Sequence, residues 1–267
     1  MKIIHFIVFS TVIFSQSQYN HPELDWRTFE TKHFRIHYYS QTEVSARRGA
    51  FIAEKIYNPI VSLYDYRPID KTDIVFTDTD DISNGAAYFY DNKIIIWTSP
   101  LDFELRGSHR WLQNVITHEF AHIVSIQSAQ KYGKSIPGGY LQWIGYEKEK
   151  RPDVLYGYPN VLISYPIPGT SVPPWLAEGV AQFMYPEADW DNWDTTRDMI
   201  LRDKVLHGNT LSWNEINTFG KRGIGNESVY NAGYAFTKYI ALKYGHNTLK
   251  EILISLSKPL NYSVNKA

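Results

Sequence analysis

The chain has no cysteine among its 267 residues. That excludes disulfides, thiolate zinc or iron–sulfur ligation, a cysteine nucleophile and a lipidated N-terminal cysteine. It also lacks an excess of charge of either sign, with 27 Lys and Arg against 28 Asp and Glu and a net charge of −1. A nucleic-acid binder would carry a basic excess or stripe with which to release counterions. There is no internal repeat, no low-complexity tract and no apolar run of the roughly 20 residues that span a bilayer. What is abundant is aromatic: 15% of the residues, including 20 Tyr and 8 Trp. With 43% hydrophobic and 21% charged residues the composition is that of a folded globular chain, long enough for one large domain or two intimate lobes. The aromatic content suits a surface or cleft that handles extended ligands.

The first stretch reads apart from the fold. Lys2 precedes an apolar run from Ile3 to Phe14, broken by His5, Ser10 and Thr11, and then the small polar segment Ser15-Gln16-Ser17-Gln18. This matches the apolar region of a secretory signal peptide covering residues 1–17, cleaved near Ser15 or Ser17. A buried N-terminal strand is the alternative. No second apolar run could anchor the remaining chain, residues 18–267, so the expectation is a secreted or periplasmic protein of a bacterial cell envelope with no stable membrane span.

Periodicity predicts an α+β organisation. Phe34 to Tyr39 alternates as a strand, Glu43 to about Tyr64 carries apolar residues at helical spacing, and Pro59 is expected to bend or end that helix. Asp73 to Thr77 reads as a short strand, and Ala86 to Tyr90 with Lys93 to Trp97 as a hairpin turning at Asp91-Asn92. Sheet material is thereby expected to concentrate before residue 100. Helices are predicted over Trp111 to Ser128, Trp175 to Tyr185, Thr195 to Leu206, Tyr230 to Tyr244 and Thr248 to Ser257. Between the first two lies a loop of about forty residues, Lys131 to Pro173, rich in Gly, Pro and Tyr, and a loop that long is usually functional or carries local structure of its own. The layout is a sheet lobe of about residues 30–128 followed by a helical lobe of about 129–260.

The helix from Trp111 contains His118-Glu119-Phe120-Ala121-His122. Imidazoles at i and i+4 share one helix face and can converge on one metal ion, while the glutamate beside the first is aimed at a water on that ion. Leu112, Val115, Ile116, Phe120, Ile123 and Val124 form an apolar stripe that would hold this helix rigidly. A hydrolytic zinc site takes three protein ligands and an open position, so without cysteine the third donor must be His, Asp or Glu. The residues after His122 offer no further histidine at short spacing. The better candidate is Glu178, in Pro173-Pro174-Trp175-Leu176-Ala177-Glu178-Gly179-Val180-Ala181, where Gly179 and Ala181 are small enough to let this helix approach the metal helix. A glutamate in a first helical turn also simply complements the dipole.

His118-Glu119-x-x-His122 followed by Trp175-Leu176-x-Glu178-Gly179-x-Ala181 resembles the gluzincin zinc metallopeptidases, and Phe34 to Ser257 is similar to the peptidase MA-like domains of exported bacterial proteins. Some longer relatives of that kind carry a Tol-like β-propeller downstream. The resemblance implies a zincin-like fold, Zn²⁺ held by His118, His122 and Glu178, Glu119 as general base, and a peptide or protein substrate. It further implies an oxyanion-stabilising tyrosine on a later helix, for which Tyr230 is the choice and Tyr234 or His207 the alternatives. The spacing from His122 to Glu178 is longer than in the aminopeptidases. Asn84-Gly85-Ala86-Ala87 also lacks the acidic residue of their Gly-Ala-Met-Glu-Asn motif, so an endopeptidase is expected. Substrate would add as a strand to an exposed edge, either Lys93 to Trp97 or Ala86 to Tyr90. A catalytically silent gluzincin-fold module that binds peptides or envelope partners is the alternative class, and a zinc hydrolase of non-peptide amides a third. The run Asp189-Trp190-Asp191-Asn192-Trp193 reads as a solvated loop, with Ca²⁺ or sugar binding as the other option.

Overall fold

The computed structural model describes residues 21–79, 82–100, 110–133, 136, 138–153, 157, 159–183, 195–220 and 223–267. The expected signal peptide and the run Asp189 to Trp193 lie outside the described residues. The described chain is mixed α/β, with six helices and a five-stranded sheet in the order β1-β2-β3-β5-β4. The strands are β1 (Arg27–Glu30), β2 (Phe34–Tyr38), β3 (Thr72–Thr77), β4 (Gly85–Tyr88) and β5 (Lys93–Trp97). β2, β3 and β5 run parallel, while β1 and β4 lie antiparallel at the two edges. A parallel neighbour requires a long crossover, and α1 (Glu43–Tyr64) supplies it between β2 and β3. A tight reversal serves β4 and β5, with Asn92 in the left-handed region at φ 51°.

Strand alternation sets the two faces of the sheet. Phe34, Ile36, Ile74, Phe76, Ile94 and Ile96 are completely buried on one face, while Arg35, His37 and Asp73 meet on the other in bonds of 2.7–2.9 Å. Helices α1 and α2 (Trp111–Ser128) cover the buried face. Their approach depends on Gly49 of α1, where a Cβ would fall 2.3 Å from the Phe76 ring. Pro59 does not end α1, which continues to Tyr64. Ile56 and Tyr57 before the proline and Ile60, Val61 and Tyr64 after it are all buried, and that burial outweighs the lost hydrogen bond.

The second half of the chain adds α3 (Pro174–Phe183), α4 (Thr195–Leu206), α5 (Gly223–Tyr244) and α6 (Asn247–Leu256). α5 begins seven residues earlier than its periodicity predicts, because the apolar pattern is weak before Val229. The main hydrophobic cluster is continuous through both halves, from Phe34 to Leu256, and Tyr64 Oη donates to the Val180 carbonyl at 2.9 Å. The long Gly- and Pro-rich connection is not a plain loop. It contains β6 (Gly138–Tyr146) and β7 (Pro159–Pro168), paired antiparallel as a separate ribbon. Sheet therefore also occurs after residue 100. Pro159, Pro166 and Pro168, together with apolar residues on both ribbon faces, hide the alternation that would have revealed it. Among the described residues no helix is long and apolar enough to cross a membrane.

Candidate metal centre

The apolar stripe of α2 anchors it against sheet and α1, with Ile116, Phe120, Ile123 and Val124 fully buried. His118, Glu119 and His122 project from the opposite margin of the helix, at the junction with α3. Pro173-Pro174 opens α3, where a proline's missing N–H costs nothing, and Glu178 follows one turn later. Gly179 and Gly233 then let α5 lie directly on α3, since a Cβ on Gly179 would stand 2.4 Å from the Gly233 carbonyl oxygen. The small residue at position 179 thus serves contact with α5 rather than with the metal helix, as its spacing alone had implied.

The structure brings three donor atoms together. His118 Nε2 and Glu178 Oε2 are 3.1 Å apart, His122 Nε2 and Glu178 Oε2 3.3 Å, and the two Nε2 atoms 3.0 Å. A tetrahedral ion with bonds near 2.0–2.1 Å has ligand–ligand edges of about 3.3 Å, which these separations approach. The group is about nine-tenths buried, and its imidazole–carboxylate donor set could hold a metal ion. Burial opposes the charge on Glu178, but His122 beside it and hydrogen bonds from His118 and His122 hold its carboxyl well below the usual carboxylate range. Burial likewise pulls His122 down, and it is outweighed by the charge and hydrogen bond of Glu178 and the charge of Glu119, so the imidazole is raised above its ordinary value.

Glu119 is buried, and its position depends on β4. A Cβ on Gly85 would lie 2.7 Å from both Cγ and Oε1 of Glu119 and 2.4 Å from Val115. The glycine of Asn84-Gly85-Ala86-Ala87 therefore makes the cradle in which the glutamate sits. Of the two proposed strand edges, β5 is interior, between β3 and β4, so among the described residues only β4 has an open side.

Tyr230 on α5 stands with its ring centroid 6.1 Å from the His118 imidazole. The Arg197 guanidinium lies 5.8 Å from the same ring centroid, and Arg197 Nε donates to Glu227 at 3.1 Å in a pair that is almost wholly buried. The alternatives sit elsewhere. Tyr234 packs beside Phe183, Ala241 and Leu249, and His207 is exposed and paired with Asp203. Three residues escaped the sequence reading. Gln182 Nε2 donates to His118 Nδ1 at 3.1 Å, a contact that i,i+4 spacing from Glu178 on one helix face could have signalled. Arg197 and Glu227 are separated by thirty residues and carried no local signal.

No family model matches this chain, and a search of curated proteins also finds no match.

Proposed function

We propose that the chain is a secreted or periplasmic zinc metallopeptidase with a zincin-like, gluzincin-type arrangement, acting as an endopeptidase on peptide or protein substrates. The observation that carries this reading is the convergence of His118, His122 and Glu178, with Glu119 buried on the same helix one position from the first ligand. When bound, zinc supplies a Lewis acid that acidifies water and polarises a carbonyl. Glu119, fixed by the Gly85 cradle, accepts the proton of the attacking water and returns it to the leaving amine. Tyr230 presents its phenol as the second electrophile, supported by Arg197. His118, His122 and Glu178 would hold the metal; with Nε2 of His118 given to it, Nδ1 would carry the ring proton and Gln182 would accept it through its amide oxygen. An extended substrate pairs with the open side of β4, beside Glu119.

The test is bound zinc and cleavage of casein or a quenched peptide by the purified chain, Glu119→Gln and Glu178→Ala. Glu119→Gln should retain zinc and lose about 10²–10⁴-fold in rate, whereas Glu178→Ala should lose stoichiometric zinc. Unchanged cleavage in Glu119→Gln refutes the mechanism. Stoichiometric zinc without cleavage in the wild type returns the chain to the binding-module class.

A further inference from the structure

The ribbon of β6 and β7 is exposed along nearly its whole length, and it packs mainly on itself. Two antiparallel strands alone are marginally stable in water, so a ribbon that buries so little against its own domain calls for a cover. The pairing register sorts its side chains. Leu141 faces Tyr165, Trp143 faces Ile163 and Gly145 faces Val161, and these share one face of the ribbon. Five side chains of that face are apolar and between 43% and 69% exposed, and the sixth, Ile167 opposite Gly139, is apolar and half-buried. The other face is interrupted by Gln142, whose Nε2 donates to Ser164 Oγ at 3.1 Å between the apolar pairs Tyr140–Pro166 and Ile144–Leu162. This is the asymmetry of a sheet that is covered on one side and wet on the other.

We propose that this face joins a second copy of the same chain, ribbon on ribbon, about a twofold axis. Three observations select that occupant. Neither strand carries Asp, Glu, Lys, Arg or His, and the charges gather at the connecting turn as Glu147, Lys148, Glu149, Lys150 and Arg151, with both signs present. Copies therefore meet without like-charge repulsion, and an identical apolar patch is self-complementary, as an isologous contact demands. Next, Pro159, Pro166 and Pro168 punctuate β7 and blunt edge-to-edge growth of that strand, which favours face-to-face burial. A bilayer is disfavoured because the free backbone of two open ribbon edges would find no partner in hydrocarbon. Finally, Trp143 and Tyr165 with three aliphatic side chains offer about 500–600 Å² per ribbon, so two copies bury about 1,000–1,200 Å². That reaches the size of a specific interface, at its lower end.

Sedimentation velocity of the full chain tests this at roughly 1–100 μM, the range in which so small an interface associates. The wild type should sediment as a concentration-dependent dimer and Trp143→Ser/Ile163→Ser as a monomer, with circular dichroism and zinc stoichiometry unchanged. Leu162→Ser, on the opposite ribbon face, should remain dimeric. A monomeric wild type, a double variant that stays dimeric, or a Leu162→Ser variant that dissociates equally overturns the proposal. So does a monomeric wild type that co-floats with phosphatidylcholine/phosphatidylglycerol vesicles, which would assign the face to a membrane.

Discussion

Replacing Gly233 by alanine adds a single methyl group at a point where the backbone of a neighbouring helix already stands, and it should destabilise the protein sharply. An ideal Cβ at this position would lie 2.2 Å from the Trp175 carbonyl oxygen, 3.1 Å from its carbon and 3.3 Å from the Gly179 nitrogen. All three neighbours are backbone of α3, so no side-chain rotation relieves the overlap. Ordinary contact requires α5 and α3 to part by roughly 1 Å, and a gap of that size forfeits a quarter to a half of the dispersion attraction across it. Overpacking against fixed backbone costs about 3 kcal/mol. For a domain of this length each kcal/mol lowers Tm by about 2–4 °C, so Gly233→Ala should melt about 6–12 °C below the wild type. Because α3 carries Glu178, any metal affinity of the His118–His122–Glu178 group should weaken as well. Gly208→Ala is the control: Gly208 has φ +67° with open space around it, so only left-handed strain of about 1 kcal/mol applies. Differential scanning fluorimetry of both variants decides the matter. A Gly233→Ala variant that melts within about 2 °C of the wild type, or no lower than Gly208→Ala, would refute the proposed helix contact.

Other consequences are equally measurable. Glu227→Leu removes one carboxylate from the buried Arg197–Glu227 pair and should cost about 1.5–3 kcal/mol in urea unfolding, while Arg197→Met/Glu227→Leu should recover part of that loss; additive effects of Arg197→Met and Glu227→Leu in the double-mutant cycle would contradict the pairing. Stability should fall on the acid side. Burial opposes the charges of Asp73 and Glu54, but hydrogen bonds from Arg35 and His37 to Asp73, and from Thr31 and His33 to Glu54, hold both carboxyls below their ordinary values. With folded pKa values below the unfolded ones, the unfolded chain binds more protons, so the contribution is complete above about pH 4–5 and is lost as pH falls through the folded values. Asp73→Asn should therefore flatten the acid limb of the unfolding free energy against pH, and an unchanged limb would remove Asp73 as its cause.

Local patterning carried much of the chemistry. His118, Glu119 and His122 are legible because a helix repeats every 3.6 residues, so spacing alone fixes which side chains share a face. Most helices and strands β2, β3 and β5 were legible for the related reason that each buries one regular face, whereas β1, largely exposed, gave no such pattern. Legibility failed where burial is absent or comes from distant chain. The β6–β7 ribbon has no buried face to impose a pattern, and Pro59 looks like a helix end until the packing on both sides of it is known.

The sequence by itself determined that no metal site can use thiolate donors, and that two imidazoles lie one turn apart on a well-anchored helix. Only the tertiary structure decided that Glu178, fifty-six residues beyond His122, arrives within 3.3 Å of it. It also decided that Gly85 shapes the space for Glu119, that β4 rather than β5 is the open edge, and that Tyr230 rather than His207 stands beside His118. The physical reason is that helix and strand periods act over a few residues, whereas convergence depends on how whole elements pack. In this protein the seating of α5, with Tyr230, on α3 hinges on backbone contact at Gly179 and Gly233, which no local pattern encodes.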